Sequence, residues 1–433
     1  MEPNQVIVLT VDALAAGGAG LARYEGRVVF LSGALPGETV RAEIQGTGPG
    51  GFRGRTVEVL ESHPDRREPP CPLFLDCGGC QLMHVRDRAQ LDLKAGAVLG
   101  DLADGVPGSL TRVRAPEAMH YRTRVRLQAG MVRGEMALGF HAARSNRLVP
   151  VDFCHQLAPR LNQSLAPLAD WAAGLPLAGV VLNGLELLAG RHDEPLLLLL
   201  DLEGRPSEAL KRAAAEGPDL AGGAATALSV RGRPVDSGRR GPKPAVTWCE
   251  ILEPPVRLMA RSGVFTQVNP GLNRLLVGRV LDLARESGPA RVLDLYAGFG
   301  NFSLPLGRTI PQVVAVESSP AAVANARFNL DVNRFENIRL VKADAPRAAS
   351  EMADRGDTFG LIVMDPPRSG AKGLAPRVAR LRPREVLYLS CHPAALKRDL
   401  AEFRSLGFTL DELAAFDMFP QTAHLEVLAR LSL

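Results

Sequence analysis

The stretch Arg291 to Gly307, "RVLDLYAGFGNFSLPLG", decides the fold. An apolar run reaching Leu295 breaks at a glycine turn, after which the pattern becomes that of a helix start. Gly298 and Gly300 let the backbone come close to a ligand, and Asp294 stands at the end of the strand beside that turn. The next strand, "VVAVE", ends in Glu317, placed to accept hydrogen bonds from two ribose hydroxyls. A lone G-x-G is weak evidence, because tight turns need glycine anyway. An acid before the glycines and a second acid ending the following strand make it stronger. Ser303 stands where a dinucleotide fingerprint carries its third glycine, so the pattern favours S-adenosylmethionine over NAD. A purely structural turn is the remaining alternative.

Working outward, apolar strands alternate with helical patterns from about Gly263 to Leu433, which reads as a parallel α/β sheet of Rossmann type. In "FGLIVMDPPRSG" two prolines fix an extended rim directly after a strand, holding Asp365 where ligands bind in open α/β sheets. An aspartate capping a helix is the plainer reading. Enzymes that methylate an exocyclic amine carry an aromatic after such a pair; Arg368 follows here, which leaves carbon methylation open. C5 of a pyrimidine is a poor nucleophile, and a thiolate adding to C6 makes it a good one. That chemistry needs a cysteine at the rim and a base to remove the C5 proton. Cys391 ends the apolar run in "VLYLSCHPAALKRDL", and Glu426 lies in the otherwise apolar "HLEVLARL" next to His424. A small core thiol and an exposed edge strand are the plainer alternatives for these two.

The chain has 433 residues, enough for two or three domains. Lys plus Arg is 51 against 47 for Asp plus Glu, an excess too mild to imply nucleic acid by itself. Arginines gather in two segments, Arg112, Arg114, Arg122, Arg124, Arg126 and Arg231, Arg233, Arg239, Arg240, Lys243, as solvated faces or as RNA contacts. Short alternating runs between Gln5 and Glu61 predict a small antiparallel barrel of OB type. The expected division is 1–61 for the barrel, 62–262 for a central α+β region and 263–433 for the cofactor-binding domain. Nothing resembles a secretion signal or a membrane span, and crowded free cysteines suit a reducing cytoplasm. Cys71, Cys77 and Cys80 follow a C-x5-C-x2-C spacing, with Cys154 as a distant fourth. Three close thiolates plus one remote favour an iron–sulfur cluster and leave zinc open. Cys249 has no partner and reads as a small buried hydrophobe.

The motifs "LDLYAGFGNFSLPL", "DPPRSG", "YLSCHPAALKRDL" and "MFPQTAHLEVL", in this order, resemble those of the RNA uracil-5-methyltransferase family. "FTQVNPGLNRLL" is similar to the entry of that family's catalytic domain, and "GLARYEGRVVFLSGALPGETV" to the TRAM domain of its ribosomal-RNA branch. The resemblance implies a Rossmann-like class I methyltransferase domain in which Cys391 is the nucleophile and Glu426 the base. It implies that Gln267, Tyr296, Glu317 and Asp365 contact S-adenosylmethionine, with Asn301 and Asp344 as further contacts. It also implies a 4Fe-4S cluster on Cys71, Cys77, Cys80 and Cys154 in a monomeric enzyme acting on RNA, with 23S rRNA as the favoured substrate. A transfer-RNA uridine methyltransferase and a non-catalytic iron–sulfur RNA-binding protein are the alternatives. A cytosine-5 enzyme would carry a second cysteine in the proline-bearing loop, and "DPPRSG" has none. His392 departs from the pattern, since the family has asparagine after the cysteine.

Overall fold

The computed structural model describes residues 2–103, 110–235 and 245–433. Arg239, Arg240 and Lys243 of the second arginine segment lie outside the described residues. Strands Val6–Leu14, Gly20–Tyr24, Arg27–Ser32, Thr39–Gly48 and Gly51–Glu61 close into a barrel. Alternation does the work: Ile7, Leu9 and Val11 point inward from the first strand while their neighbours face out, and they meet Val29, Leu31 and Val40. Glu38, fully buried, takes Arg66 at 2.7 Å and the Leu35 and His63 amides, which fastens the barrel to the segment that follows it.

The central region forms a seven-stranded mixed sheet built on Arg124–Val132, Val181–Leu188 and Leu196–Glu203. The Leu196–Glu203 strand is apolar on both faces, as a strand inside a covered sheet must be. The first arginine segment is largely spoken for by acids. Arg112 and Arg114 pair with Asp92, Arg124 with Glu186 and Arg126 with Asp201. Arg122 has no such ion pair among the described residues, and its Nε is buried without a hydrogen-bond partner.

The third sheet has eight strands in the order Ile338–Lys342, Gln312–Glu317, Arg291–Leu295, Leu361–Met364, Glu385–Ser390, Glu426–Ser432, Thr409–Phe416 and Thr111–Val113. The first five are parallel, and Glu426–Ser432 runs against its neighbours. Strand order reverses at Arg291–Leu295, which opens a crevice at the carboxyl ends of that strand and of Leu361–Met364.

Packing contacts cross residue 262. Helix Asp87–Ala103, from the central region, buries Leu91, Ala95 and Leu99 with Leu293 and Met364 of the third sheet. Strand Thr111–Val113 pairs with Thr409–Phe416 as the sheet's edge. The hairpin Ala245–Ile251 with Val256–Arg261 sends Val246, Trp248 and Leu258 into the core that holds Val292 and Leu387. An α/β sheet needs cover on both faces and at its edge, and the chain draws that cover from distant residues. No helix among the described residues is long and apolar enough to cross a membrane.

Candidate active site

The carboxyl ends of the parallel strands gather four acids: Asp294, Glu317, Asp365 and Glu426. Asp294 is fully buried; the Ser303 hydroxyl donates to its Oδ2, and its Oδ1 has no partner. Burial pushes its carboxyl up to about 7, with Asp365 and Glu317 adding negative potential. Tyr296 follows in the left-handed region, φ 66°, an unusual conformation for an aromatic that the turn imposes. Gly300 holds φ 101°, a backbone conformation that residues with a side chain rarely adopt, so a substitution there is strained. Glu317 accepts the Gly298 amide at 2.9 Å and the Ser319 amide at 2.7 Å, so the second strand's acid also shapes the first strand's turn.

The other residues expected at the cofactor are distributed unevenly. Asp344 is exposed at the start of helix Ala345–Asp354, makes no capping bond, and its charge bears on the Tyr296 phenol, raised to about 12 mainly by burial. Gln267 is buried in the turn before helix Pro270–Ser287, whose cap is Asn269. Asn301 spends its side chain inward: it exchanges two amide hydrogen bonds with Asn273, 2.9 and 3.0 Å. That pair ties the glycine turn to helix Pro270–Ser287 and uses one N–H and one oxygen lone pair of the Asn301 amide.

At the other end of the crevice, strand Glu385–Ser390 delivers Cys391, and strand Glu426–Ser432 begins with Glu426. Ser390 is in register with Val427 on the antiparallel neighbour, so one step further Cys391 faces Glu426. Burial raises the Cys391 thiol to about 11; Glu426 and Asp365 push the same way, and Arg368 opposes them. Glu426 is 2% exposed, its Oε1 has no hydrogen-bond partner, and burial then Asp365 hold its carboxyl well above the usual range. Asp365 itself is raised to about 7 by burial.

His392 caps helix Pro393–Ser405. Its Nδ1 accepts the Ala395 amide at 3.2 Å, the task an asparagine oxygen performs in the same place. Asp399, 1% exposed, is a residue the sequence reading missed. It takes the Tyr388 hydroxyl at 2.6 Å, the Ala371 amide at 2.7 Å and Arg398 Nε at 2.7 Å, tying the loop after Asp365 to the helix after Cys391. Its signal was available: an aspartate among Leu396, Leu400 and Phe403 on the buried face of "PAALKRDLAEF".

The four cysteines Cys71, Cys77, Cys80 and Cys154 are unbridged and line one pocket of about 620 Å³, open mouth included, with Arg122 and Phe153. Gln156 Nε2 lies 2.7 Å from Cys80 Sγ, and the Gly79 amide 3.4 Å from Cys77 Sγ. Burial raises the Cys77, Cys80 and Cys154 thiols, Cys80 to about 12. Among the described residues no three His, Cys, Asp or Glu side chains form a group that could hold a metal ion.

Crevice, glycine turn and strand order define an S-adenosylmethionine-dependent methyltransferase. Comparison with known proteins narrows the class. Residues 255–432 match the family model described as tRNA (Uracil-5-)-methyltransferase, and residues 2–57 match that of the TRAM domain. A protein of Alkalilimnicola ehrlichii named 23S rRNA (uracil(1939)-C(5))-methyltransferase RlmD is 34% identical over 99% of this chain and 96% of its own length. A protein of the same name from Cronobacter sakazakii is 33% identical over 98% and 96%. The crystal structure of Pyrococcus abyssi tRNA (uracil-54, C5)-methyltransferase with S-adenosyl-L-homocysteine shares the fold, with a TM-score of 0.73 at 21% identity, over 98% of this chain and 100% of that one. The chain belongs to the RNA uracil-5-methyltransferase family.

Proposed function

We propose that the chain methylates C5 of a uridine in 23S rRNA through a transient bond between Cys391 Sγ and C6 of the ring. The observation that carries this reading is the facing of Cys391 and Glu426 across two strands, at the rim completed by Asp365. Ribosomal RNA is favoured because the full-length relatives named above carry that substrate in their names. A base held in an RNA fold reaches such a rim only after flipping out of its stack.

Cys391 loses its proton to solvent at the open rim, and the thiolate's electron pair forms the bond to C6, which makes an enolate nucleophilic at C5. Arg368 and the amino end of helix Pro393–Ser405 offset the negative charge that Glu426 and Asp365 place beside the sulfur. S-adenosylmethionine supplies the electrophilic methyl group. C5 then holds both the methyl and its original hydrogen. Glu426 removes that proton, the C–H electrons restore the C5–C6 double bond, and the C6–S bond breaks to return the thiolate. A carboxylate raised by burial is a stronger base than one in water, which suits this last step. In this reading Gln267, Tyr296, Glu317, Asp344 and Asp365 hold the cofactor, Glu317 using lone pairs left free by its two amide donors. Asn301 is a further cofactor contact in this reading, with its amide steadied by Asn273.

A 4Fe-4S cluster on Cys71, Cys77, Cys80 and Cys154 is part of the proposal. Four unbridged thiols in one pocket, N–H groups aimed at two sulfurs and the unpartnered Arg122 Nε suit a thiolate-bound group of net negative charge. Such a group would cross-link the Cys71–Cys80 loop to Cys154. Iron and sulfide assay of protein prepared without oxygen tests it; zinc alone in equimolar amount would exclude it.

RNA carrying 5-fluorouridine tests the reaction, because fluorine cannot leave as a proton and the adduct persists. Mapping of 5-methyluridine in rRNA and tRNA, with and without the gene, tests the substrate. Loss of the mark from tRNA alone would overturn the ribosomal assignment.

A further inference from the structure

Glu426 is buried and its Oε1 has no partner, so no bond from that oxygen holds the carboxylate in place. Its backbone is placed by the ladder that pairs it with Phe416 and by the loop that joins the two, residues 417–424. That loop is gripped from the central region. The Gln81 and Leu82 amides donate to Gln421 O at 3.1 and 2.9 Å, and the Ala423 amide donates to Gln81 Oε1 at 3.2 Å. Lys94 Nζ, fully buried, reaches Asp417 at 2.6 Å and the Phe419 carbonyl at 2.9 Å.

Gln421 itself is fully buried with φ 68°, a conformation an ordinary residue keeps only where its surroundings over-determine it. Arg67 and Gln90 donate to its Oε1 at 2.9 Å each, and its Nε2 donates to Asp87 at 2.7 Å. The Tyr121 hydroxyl lies 3.1 Å from Pro420 O and 3.2 Å from Gln156 Oε1. Gln156 Nε2 in turn reaches Cys80 Sγ, and Gln81 follows Cys80 directly in the chain. Two routes, one through side chains and one through the backbone, therefore run from the cysteine pocket to the loop before Glu426.

We propose that the cysteine-bearing segment is the mount of the general base: Tyr121, Gln81 and Gln421 are positioning residues that set Glu426 against C5. The inference rests on the reading of Glu426 as the base. It assigns a task to the cysteine pocket that adduct formation does not need, because Cys391 is held separately by Ser390, His392 and the helix behind them. A loosened mount leaves thiolate addition and methyl transfer intact and slows proton removal, so the methylated covalent species builds up.

The test uses the holoenzyme, S-adenosylmethionine and a 23S rRNA fragment with ordinary uridine at the position named in the relatives. Tyr121→Phe removes the hydroxyl whose one proton is shared between Pro420 O and Gln156 Oε1, and Gln81→Ala removes the side chain that accepts the Ala423 amide. Each should lower release of methylated RNA about tenfold, the cost of a buried group left unpaired. The covalent enzyme–RNA band on a denaturing gel should rise several-fold, while the rate of adduct formation with 5-fluorouridine RNA stays within about twofold. Hydrogen exchange should quicken in residues 417–424 and stay unchanged in Glu385–Ser390. Glu426→Gln, run in parallel, should trap the same species more completely. If it does not, the base assignment fails and this inference falls with it. If Glu426→Gln traps the species but neither positioning variant does, or if adduct formation and release fall together in them, the mount is wrong and the base assignment stands.

Discussion

The catalytic rim and the cysteine pocket are both made of buried or partly buried acidic groups drawn from distant parts of the chain, yet they are finished in opposite ways. At the rim the acids crowd one another: Asp365 raises Glu426, both oppose ionisation of Cys391, and Glu426 Oε1 and Asp294 Oδ1 are left without donors. In the cysteine pocket, N–H groups approach two of the sulfurs, and the charge of Arg122 bears on Cys80 and Cys154. The first arrangement keeps proton acceptors unsatisfied and strong. The second brings four thiols to one pocket, where burial raises three of them and N–H groups and Arg122 pull the other way. One is built to react and the other to hold.

Breaking the reactive half should have the largest effect. Cys391→Ala should lower methylation at least about 10⁴-fold, and Glu426→Gln about 10³-fold with accumulation of the adduct, read as 5-methyluridine formed per enzyme in a single turnover. Breaking the holding half should act on stability first. On the proposal of a bound cluster, Cys154→Ser should abolish iron content and lower the melting temperature by several degrees, about the loss of one cross-link.

The two halves also separate by pH. Asp294 and Asp365 are raised to about 7 by burial, so the fold prefers them protonated. Stability from such groups is complete below their unfolded value of about 4 and is lost as pH climbs through about 7. Asp294→Asn should therefore raise the melting temperature of the cofactor-free protein by about 2–4 °C near pH 8 and leave it unchanged near pH 4. The smallest effect belongs to the cap. His392→Asn keeps an acceptor for the Ala395 amide and should cost almost nothing, whereas His392→Ala should lose about 1 kcal/mol in denaturant unfolding.

Much of the rim was legible because its residues sit at the ends of apolar strands, where a single acid or thiol stands out against Leu and Val. The barrel was legible from alternation of the kind seen in Val6–Leu14. What the sequence concealed was non-local. Thr111–Val113 is too short to read as a strand until its neighbour Thr409–Phe416 is seen, and nothing near Asp87–Ala103 announces which sheet it covers. The first arginine segment read equally as a solvated face or an RNA contact, and its ion pairs were hidden: Asp92, Glu186 and Asp201, on other elements, pair with four of its five arginines. Lys94 and Gln421 read as ordinary polar residues; their importance lies in partners more than 300 positions away, where |i−j| is 323 and 331. His392 was a departure without an explanation until the helix behind it gave the imidazole a capping bond.

The most direct test of the account is mass spectrometry of the complex trapped with 5-fluorouridine RNA. The account predicts one cross-linked peptide, the one containing Cys391, and no trapped complex from Cys391→Ala. A cross-link at any other residue, or an adduct that survives that substitution, would contradict it.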